Sequence, residues 1–215
     1  MGGEAPIHAS SRDHVTADLV KSVLLLSGGL DSAVALAECH DDTIAVHFSY
    51  GQTAERQERQ AAQALSAHYG VTLEEVSIPM FPRPGSKCPV HVGDKPENVP
   101  GRNMIFLAYT ESLLPADEYV MGAHLGDLRN GCQCRTLKLV TAQWLLTGPP
   151  VIRVQMRTKA DLVRLGNLLG APMELTWSCY WGDPRPCGAC ASCEERAAAF
   201  AEAGVLDQER VSASG

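Results

Sequence analysis

The sequence has no apolar run long enough to cross a membrane. Its longest runs, such as residues 23–26 and 43–48, fall far short of the roughly 20 residues that a membrane helix needs. The polar segment before residue 20 has no apolar core of the kind found in secretory signals, and internal repeats are absent. These absences lead us to expect a cytoplasmic protein with no membrane partner.

The sequence also has no excess of positive charge. The 18 Lys and Arg residues are outnumbered by 25 Asp and Glu residues, which gives a formal charge of −7. Proteins that hold nucleic acid through its phosphates carry a basic surface, so a nucleic-acid partner is disfavoured. A small-molecule substrate is the better expectation.

With 45% hydrophobic residues in 215, the chain can build a sizeable core. Short apolar segments alternate with segments of helical character, which favours an α/β fold: a doubly wound, mostly parallel sheet with helices on both faces. Strands are predicted at 22–26, 43–49, 71–77, 118–121 and 151–155, and helices from residue 30 and at 54–69, 102–114, 136–147 and 159–169. The proline-rich segment 80–100 is predicted to be a long loop that could cover a site. We expect residues 20–177 to form this domain and residues 178–203 a small module packed on it.

A glycine-rich hexapeptide joins the first predicted strand to the first helix. A strand, a glycine turn and a helix start together form an anion site, because backbone N–H groups and the positive end of the helix point at the ligand. The Lys-Ser/Thr ending of the usual nucleotide triphosphatase loop is missing. The alternative is a plain glycine turn with a capping Asp or Ser. The candidate phosphate-binding residues are Ser27, Gly28, Gly29, Leu30, Asp31 and Ser32.

Four of the eight cysteines lie close together near the C-terminus, with seven, two and two residues between them. This spacing brings four thiolates within reach of one tetrahedral ion, and zinc is the default occupant. With four protein ligands the metal would be structural. An iron–sulfur cluster is the competing interpretation. The candidate ligands are Cys179, Cys187, Cys190 and Cys193.

The hexapeptide Ser-Gly-Gly-x-Asp-Ser resembles the pyrophosphate loop (PP-loop) of the adenylating ATP pyrophosphatases, which split ATP between its α and β phosphates. The resemblance implies an adenine nucleotide alpha hydrolase-like fold. It also implies that the loop, including the hydroxyls of Ser27 and Ser32, cradles pyrophosphate and that Asp31 helps to place Mg²⁺ with ATP.

Further motifs resemble one family within that group, the 7-cyano-7-deazaguanine synthases (QueC family) of 7-deazapurine biosynthesis. In chain order they are the hexapeptide, Tyr50-Gly51-Gln52, residues 99–103 (Val-Pro-Gly-Arg-Asn), residues 178–182 (Ser-Cys-Tyr-Trp-Gly) and the cysteine cluster up to residue 196. The resemblance implies that ATP adenylates the carboxylate of 7-carboxy-7-deazaguanine. Ammonia then gives an amide, and a second activation dehydrates the amide to a nitrile. Relatives of this fold often pair, so we expect a homodimer.

The resemblance also implies a set of nucleotide or substrate contacts, namely Tyr50, Gln52, Arg102, Asn103, Arg135 and Lys159. Tyr50 and Gln52 follow a predicted strand, at the sheet edge where ligands bind in open α/β folds. Arg102 could equally be a solvated charge at a helix start, and Lys159 a surface lysine.

The chain departs from the family at two places. Thr53-Ala54 stands where the family carries a basic residue and His, and residues 129–135 match the family's Tyr-Pro-Asp-Cys-Arg run only at Cys134 and Arg135. A ligase that stops at the amide, or that uses another amine, is therefore an alternative. A second alternative is a tRNA-thiolating enzyme that uses Cys132 and Cys134, and a third is a non-enzymatic module with a vestigial loop.

Overall fold

This computed structural model describes residues 20–39, 42–78, 102–123, 151–155 and 157–208. The loop predicted at 80–100, the helix predicted at 136–147, and the residues Cys132, Cys134 and Arg135 lie outside the described residues.

A parallel sheet forms the centre of the described structure. Its strands lie in the order β3-β2-β1-β4-β5, and each neighbouring pair is parallel. The strands are β1 (Val20–Leu25), β2 (Thr43–Ser49), β3 (Thr72–Ser77), β4 (Ala116–Met121) and β5 (Val151–Val154). The helices are α1 (Leu30–Ala37), α2 (Glu55–Tyr69), α3 (Arg102–Leu113), α4 (Lys159–Leu169) and α5 (Ala191–Ala203), with a 3₁₀ turn at Met173–Leu175. The predicted fold class is confirmed.

The two faces of β1 bury different side chains, because successive residues of a strand point to opposite sides. Val23 and Leu25 pack with Phe106 of α3 on one face. Leu24 and Leu26 pack on the other face with residues of α1 and α2, among them Leu65. Strands buried on both faces read as continuous apolar runs, which explains why β1 shows no alternation in the sequence.

The order in which strands are added to the sheet switches sides at β1. From β1 the chain winds outward through β2 to β3, and the later part of the chain continues on the other side of β1 with β4 and then β5. In such sheets a crevice opens beyond the carboxyl ends of the two strands that flank the switch point. The glycine-rich loop follows β1 and Gly122 follows β4, so both lie at this crevice.

The C-terminal helices continue the core rather than standing apart from it. A third apolar cluster joins Leu30 and Val34 of α1 to Leu162 of α4 and Phe200 of α5. The residues that follow the sheet are thereby fixed against the start of α1. The predicted division at residue 177 stays a prediction. Of the helices in the described part of the chain, none combines the length and the apolar character needed to span a bilayer.

Candidate active site

The loop after β1 is shaped by a glycine that no other residue could replace without strain. Gly28 has φ +84°, and a Cβ placed there would collide with the carbonyl oxygen of Glu58. α2 therefore packs directly on the loop. The hydroxyl oxygens of Ser27 and Ser32 lie 3.1 Å apart, and the Ser32 hydroxyl donates to the carbonyl of Gly29 at 2.9 Å. The loop is thus held by contacts of its own and by the packing of α2.

A second close approach fixes the loop from the side of β4. A Cβ on Gly122 would lie 2.5 Å from the backbone nitrogen of Ser32. Because the atoms that it would meet belong to the backbone, no side-chain rotation could relieve the overlap. The glycine after β4 lets the start of α1 lie directly beside the end of that strand.

One cavity of about 310 Å³ opens at this crevice. This volume lies at the lower end of the roughly 300–1,000 Å³ that small-molecule sites occupy. With the exception of Gly28, every predicted phosphate, nucleotide or substrate contact within the described residues lines the cavity. These lining residues are Ser27, Gly29, Leu30, Asp31, Ser32, Tyr50, Gln52, Arg102, Asn103 and Lys159. Gly28 contributes instead to the packing beneath the loop.

Lys159 lies beside the loop and not at an open surface. Its ammonium nitrogen is 3.5 Å from a carboxylate oxygen of Asp31 and 3.2 Å from one of Glu195, and only 13% of its side chain is exposed. Lys159 is the first residue of α4, and Thr158 caps that helix by accepting a hydrogen bond from the Asp161 N–H. The surface-lysine interpretation is therefore wrong, because α4 directs this side chain toward α1.

Arg102 begins α3 at the other end of the cavity and is not a solvated charge either. Its guanidinium donates to the Tyr50 hydroxyl at 2.7 Å and lies over the Tyr50 ring at 5.3 Å. The Phe106 ring stacks on Phe48 with 4.2 Å between ring centres. Burial raises the pKa of Tyr50, although the nearby guanidinium opposes the change. This end of the cavity is aromatic and cationic.

The amide of Gln52 holds the turn after β2. Its oxygen accepts from the Tyr50 N–H at 2.8 Å, and its nitrogen donates to the Phe48 carbonyl at 3.2 Å and to the Glu58 carboxylate at 3.0 Å. Burial raises the pKa of Glu58, while the bond from Gln52 lowers it. Glu58 also lines the cavity and is absent from the sequence-based predictions. In the sequence it is one of several charges on the polar side of α2, so nothing marked it.

His47 is a buried histidine that sequence analysis also missed. It is 1% exposed, and its Nδ1 lies 2.9 Å from the Leu26 carbonyl, to which it donates. Burial lowers the pKa of His47, so the neutral ring is favoured. This bond ties β2 to the residue that precedes the loop, which gives His47 a structural part in the site.

The four predicted metal ligands come together. The sulfur atoms of Cys179, Cys187, Cys190 and Cys193 all lie within 4.8 Å of one another. Sulfur ligands about 2.3 Å from a tetrahedral ion would be roughly 3.8 Å apart, so the group fits such an ion after a small contraction. The Cys179 sulfur accepts from the backbone N–H groups of Trp181 at 3.4 Å and Cys187 at 3.3 Å. Such N–H donors stabilise thiolates, which is the form that binds a metal.

The segment that carries the four cysteines, residues 177–196 and here called the cysteine segment, also forms one wall of the cavity. The Trp177 N–H donates to the Gly28 carbonyl at 2.9 Å, and the Gln57 amide donates to the carbonyl oxygens of Gly182 and Asp183. Three further residues of this segment line the cavity, namely Ser178, Tyr180 and Ser192. The cysteine spacing predicts a metal in this segment but does not indicate that the segment lines a cavity. The only signal for such a place was the resemblance of residues 178–182 to the family motif.

Comparisons with known proteins point to one family. Residues 21–204 match the family model described as "Queuosine biosynthesis protein QueC". The chain is similar to proteins named 7-cyano-7-deazaguanine synthase. The relative from Methanoculleus marisnigri is 36% identical, and the match covers 87% of this chain and 96% of the relative. The relative from Nitratiruptor sp. is 31% identical, and the match covers 88% of this chain and 97% of the relative. Among solved structures it resembles the U34-tRNA thiolase NcsA from Methanococcus maripaludis with its [4Fe-4S] cluster, with 17% identity and a TM-score of 0.48. That match covers 84% of this chain and 64% of the thiolase. A likeness at that level bears on neither activity nor metal.

Proposed function

The chain belongs to the QueC family and is an enzyme of the synthase type, and from this premise we propose its reaction. The protein activates the carboxylate of 7-carboxy-7-deazaguanine with ATP and replaces the activated oxygen by nitrogen. One observation carries the proposal: the loop residues, Arg102 and Lys159 come from three separate parts of the chain and line a single cavity at the switch point of the sheet. That cavity has a phosphate-binding end and an aromatic end.

In the first step a carboxylate oxygen of the acid attacks the α-phosphorus of ATP, and the bond from that phosphorus to pyrophosphate breaks. Ammonia then attacks the carbonyl carbon, loses a proton and displaces AMP to leave the amide. A second ATP activates the amide oxygen in the same way, and loss of AMP and two N–H protons gives the nitrile. Each step needs alignment and stabilisation of phosphate charge more than it needs a protein acid or base.

The residues at the phosphate end supply what the leaving pyrophosphate requires. The loop is preformed by Gly28 and by the contact between Ser27 and Ser32, so its N–H groups need little rearrangement on binding. The Lys159 ammonium adds a positive charge beside it. Asp31 is the residue that we propose to help hold Mg²⁺, which spreads the charge of the phosphates when it is bound.

At the other end the Tyr50 and Phe106 rings offer flat surfaces to a purine-like ring, and Arg102 offers N–H donors to its polar edge. Asn103 stands beside Arg102, whose Nε donates to its side-chain oxygen at 3.3 Å. For the four cysteines we propose a structural zinc ion, because four protein sulfurs leave no open coordination position. Zinc there would hold the wall of the cavity in place.

One observation favours a second candidate function. Thr53 and Ala54 line the cavity, and they stand where the family carries a basic residue and His. If that pair guides ammonia or the dehydration step, this chain would make the adenylate but stop at the amide or use a different amine. Adenylation itself depends on the loop, which is intact.

The test is to incubate the purified protein with ATP, Mg²⁺, 7-carboxy-7-deazaguanine and ammonium, and to follow both pyrophosphate release and the mass of the product. A nitrile would support the full reaction, and an amide alone would support the second candidate. Absence of pyrophosphate release would contradict both and would make tRNA the next substrate to test. Asp31→Asn should abolish release without unfolding the protein. Asp117→Asn, at an exposed position at the opposite end of the sheet, should leave release unchanged.

A further inference from the structure

A carboxylate from the cysteine segment reaches the phosphate end of the cavity. Glu195 lies in the second turn of α5, and its carboxylate oxygen is 3.2 Å from the Lys159 nitrogen. The same nitrogen is 3.5 Å from Asp31 in the first turn of α1. Three helices therefore meet at one ammonium group, and one of them is the helix that begins at the metal ligands.

Lys159 stands at a position that is unfavourable for a cation. It is the first residue of α4, where the aligned peptide dipoles leave partial positive charge, so a lysine there is disfavoured. Its stem also has four rotatable carbon–carbon bonds, so the ammonium group needs partners to stay beside the loop. The two carboxylates provide them.

Two carboxylates around one ammonium carry a net negative charge, which by itself repels phosphate. Asp31 belongs to the loop and is assigned to Mg²⁺ above, but Glu195 is 46% exposed and belongs to another segment. A second acid at a phosphate site lowers anion affinity unless it fixes the cation in the geometry that binds the phosphate. Ser192 lies one helical turn before Glu195 and lines the cavity, so this face of α5 is directed at the site.

We infer that Glu195 is a positioning residue: it holds the Lys159 ammonium beside the loop. There the ammonium contacts the phosphates of ATP while Asp31 binds Mg²⁺. The inference rests on the proposed function, because it presupposes that the loop binds the phosphates of a nucleotide. Through this ion pair α5 contributes to the nucleotide site directly, in addition to its connection with the cysteine cluster.

The experiment measures binding, not turnover. The probe is α,β-methylene-ATP with Mg²⁺, which cannot be split between its α and β phosphates, titrated calorimetrically into the full chain. Glu195→Leu keeps the bulk of the side chain and removes the acceptor, and it should weaken binding about two- to fivefold, as expected for one partly exposed ion pair. Glu195→Gln keeps an oxygen that accepts from Lys159, so it should bind more tightly than Glu195→Leu. Glu194→Leu is the matched control, because Glu194 is the exposed neighbour on the same helix.

A double variant tests whether Glu195 acts through Lys159. In a Lys159→Met background, Glu195→Leu should weaken binding no further, and binding should tighten slightly because the carboxylate by then only repels the phosphates. Variants are compared at equal metal content and equal unfolding temperature, and Glu195→Ala replaces the leucine variant if the latter is less stable.

Unchanged or tighter binding in Glu195→Leu would overturn the inference while leaving the proposed function intact, and so would a loss that persists without Lys159. Failure of the wild-type protein to bind the probe would overturn both.

Discussion

Replacement of Arg196 by methionine should strongly destabilise the protein, although the residue never touches the cavity. Arg196 is 2% exposed and forms paired bonds of 2.8 and 2.9 Å with the Asp207 carboxylate. It also donates to the Thr176 hydroxyl at 2.6 Å and to the Met173 carbonyl at 3.0 Å. One guanidinium thus joins α5 to the segment that precedes Cys179 and to the C-terminal end of the described chain.

The size of the effect follows from what the substitution leaves behind. Methionine fills much of the volume but leaves Asp207, which is 8% exposed, without its cation. Breaking a buried ion pair by removing one partner costs about 3–5 kcal/mol. For a chain of this size, at roughly 2–4 °C per kcal/mol, the unfolding temperature should fall by about 6–20 °C.

Thermal and urea unfolding of Arg196→Met, measured beside Arg164→Met, would check this. Arg164 is 46% exposed and pairs with Asp161 at 2.7 Å, so its loss should destabilise the protein far less. Replacing Arg196 and Asp207 together by apolar residues should recover part of the loss, because no lone charge remains buried. Equal stability of the two single variants would refute the reasoning.

Three further predictions concern the loop, the four cysteines and the Glu58 carboxyl. Gly28→Ala should be less stable than Gly70→Ala, since both have positive φ but only the methyl group at 28 meets backbone atoms; urea unfolding measures the difference. Cys190→Ser should lose the bound metal and Cys39→Ser should keep it, as elemental analysis of the purified proteins would show; equal metal content would contradict the four-cysteine site. The raised pKa of Glu58 means that the folded state binds more protons than the unfolded state above the ordinary carboxyl pKa, so stability should fall as pH rises through the folded pKa. Glu58→Gln should remove that fall in unfolding temperatures measured across pH, and an unchanged pH profile would contradict the assignment.

Much of the candidate phosphate site could be predicted from local sequence. An apolar strand, two glycines and a helix start occupy consecutive positions, so chain connectivity alone brings Ser27, Asp31 and Ser32 together. The same holds for the cysteines, three of which lie within seven residues. Such local geometry depends on the backbone preferences of neighbouring residues and on the number of residues between them. Both can be read from the sequence. The homodimer, the cytoplasmic location and the role of Arg135 stay predictions.

The sequence by itself determined the α/β class, the loop and the four-cysteine cluster, because periodicity, glycine placement and cysteine spacing act over short stretches of chain. Only the tertiary structure decided that Lys159 faces Asp31, that Glu58 and Gln52 fix the turn after β2, and that the cysteine segment walls the cavity. These contacts join residues that are distant in sequence, and they depend on how helices pack across the sheet. A lone lysine or glutamate in a polar stretch looks the same whether it meets solvent or a partner from another helix, so its role appears only when the chain is folded.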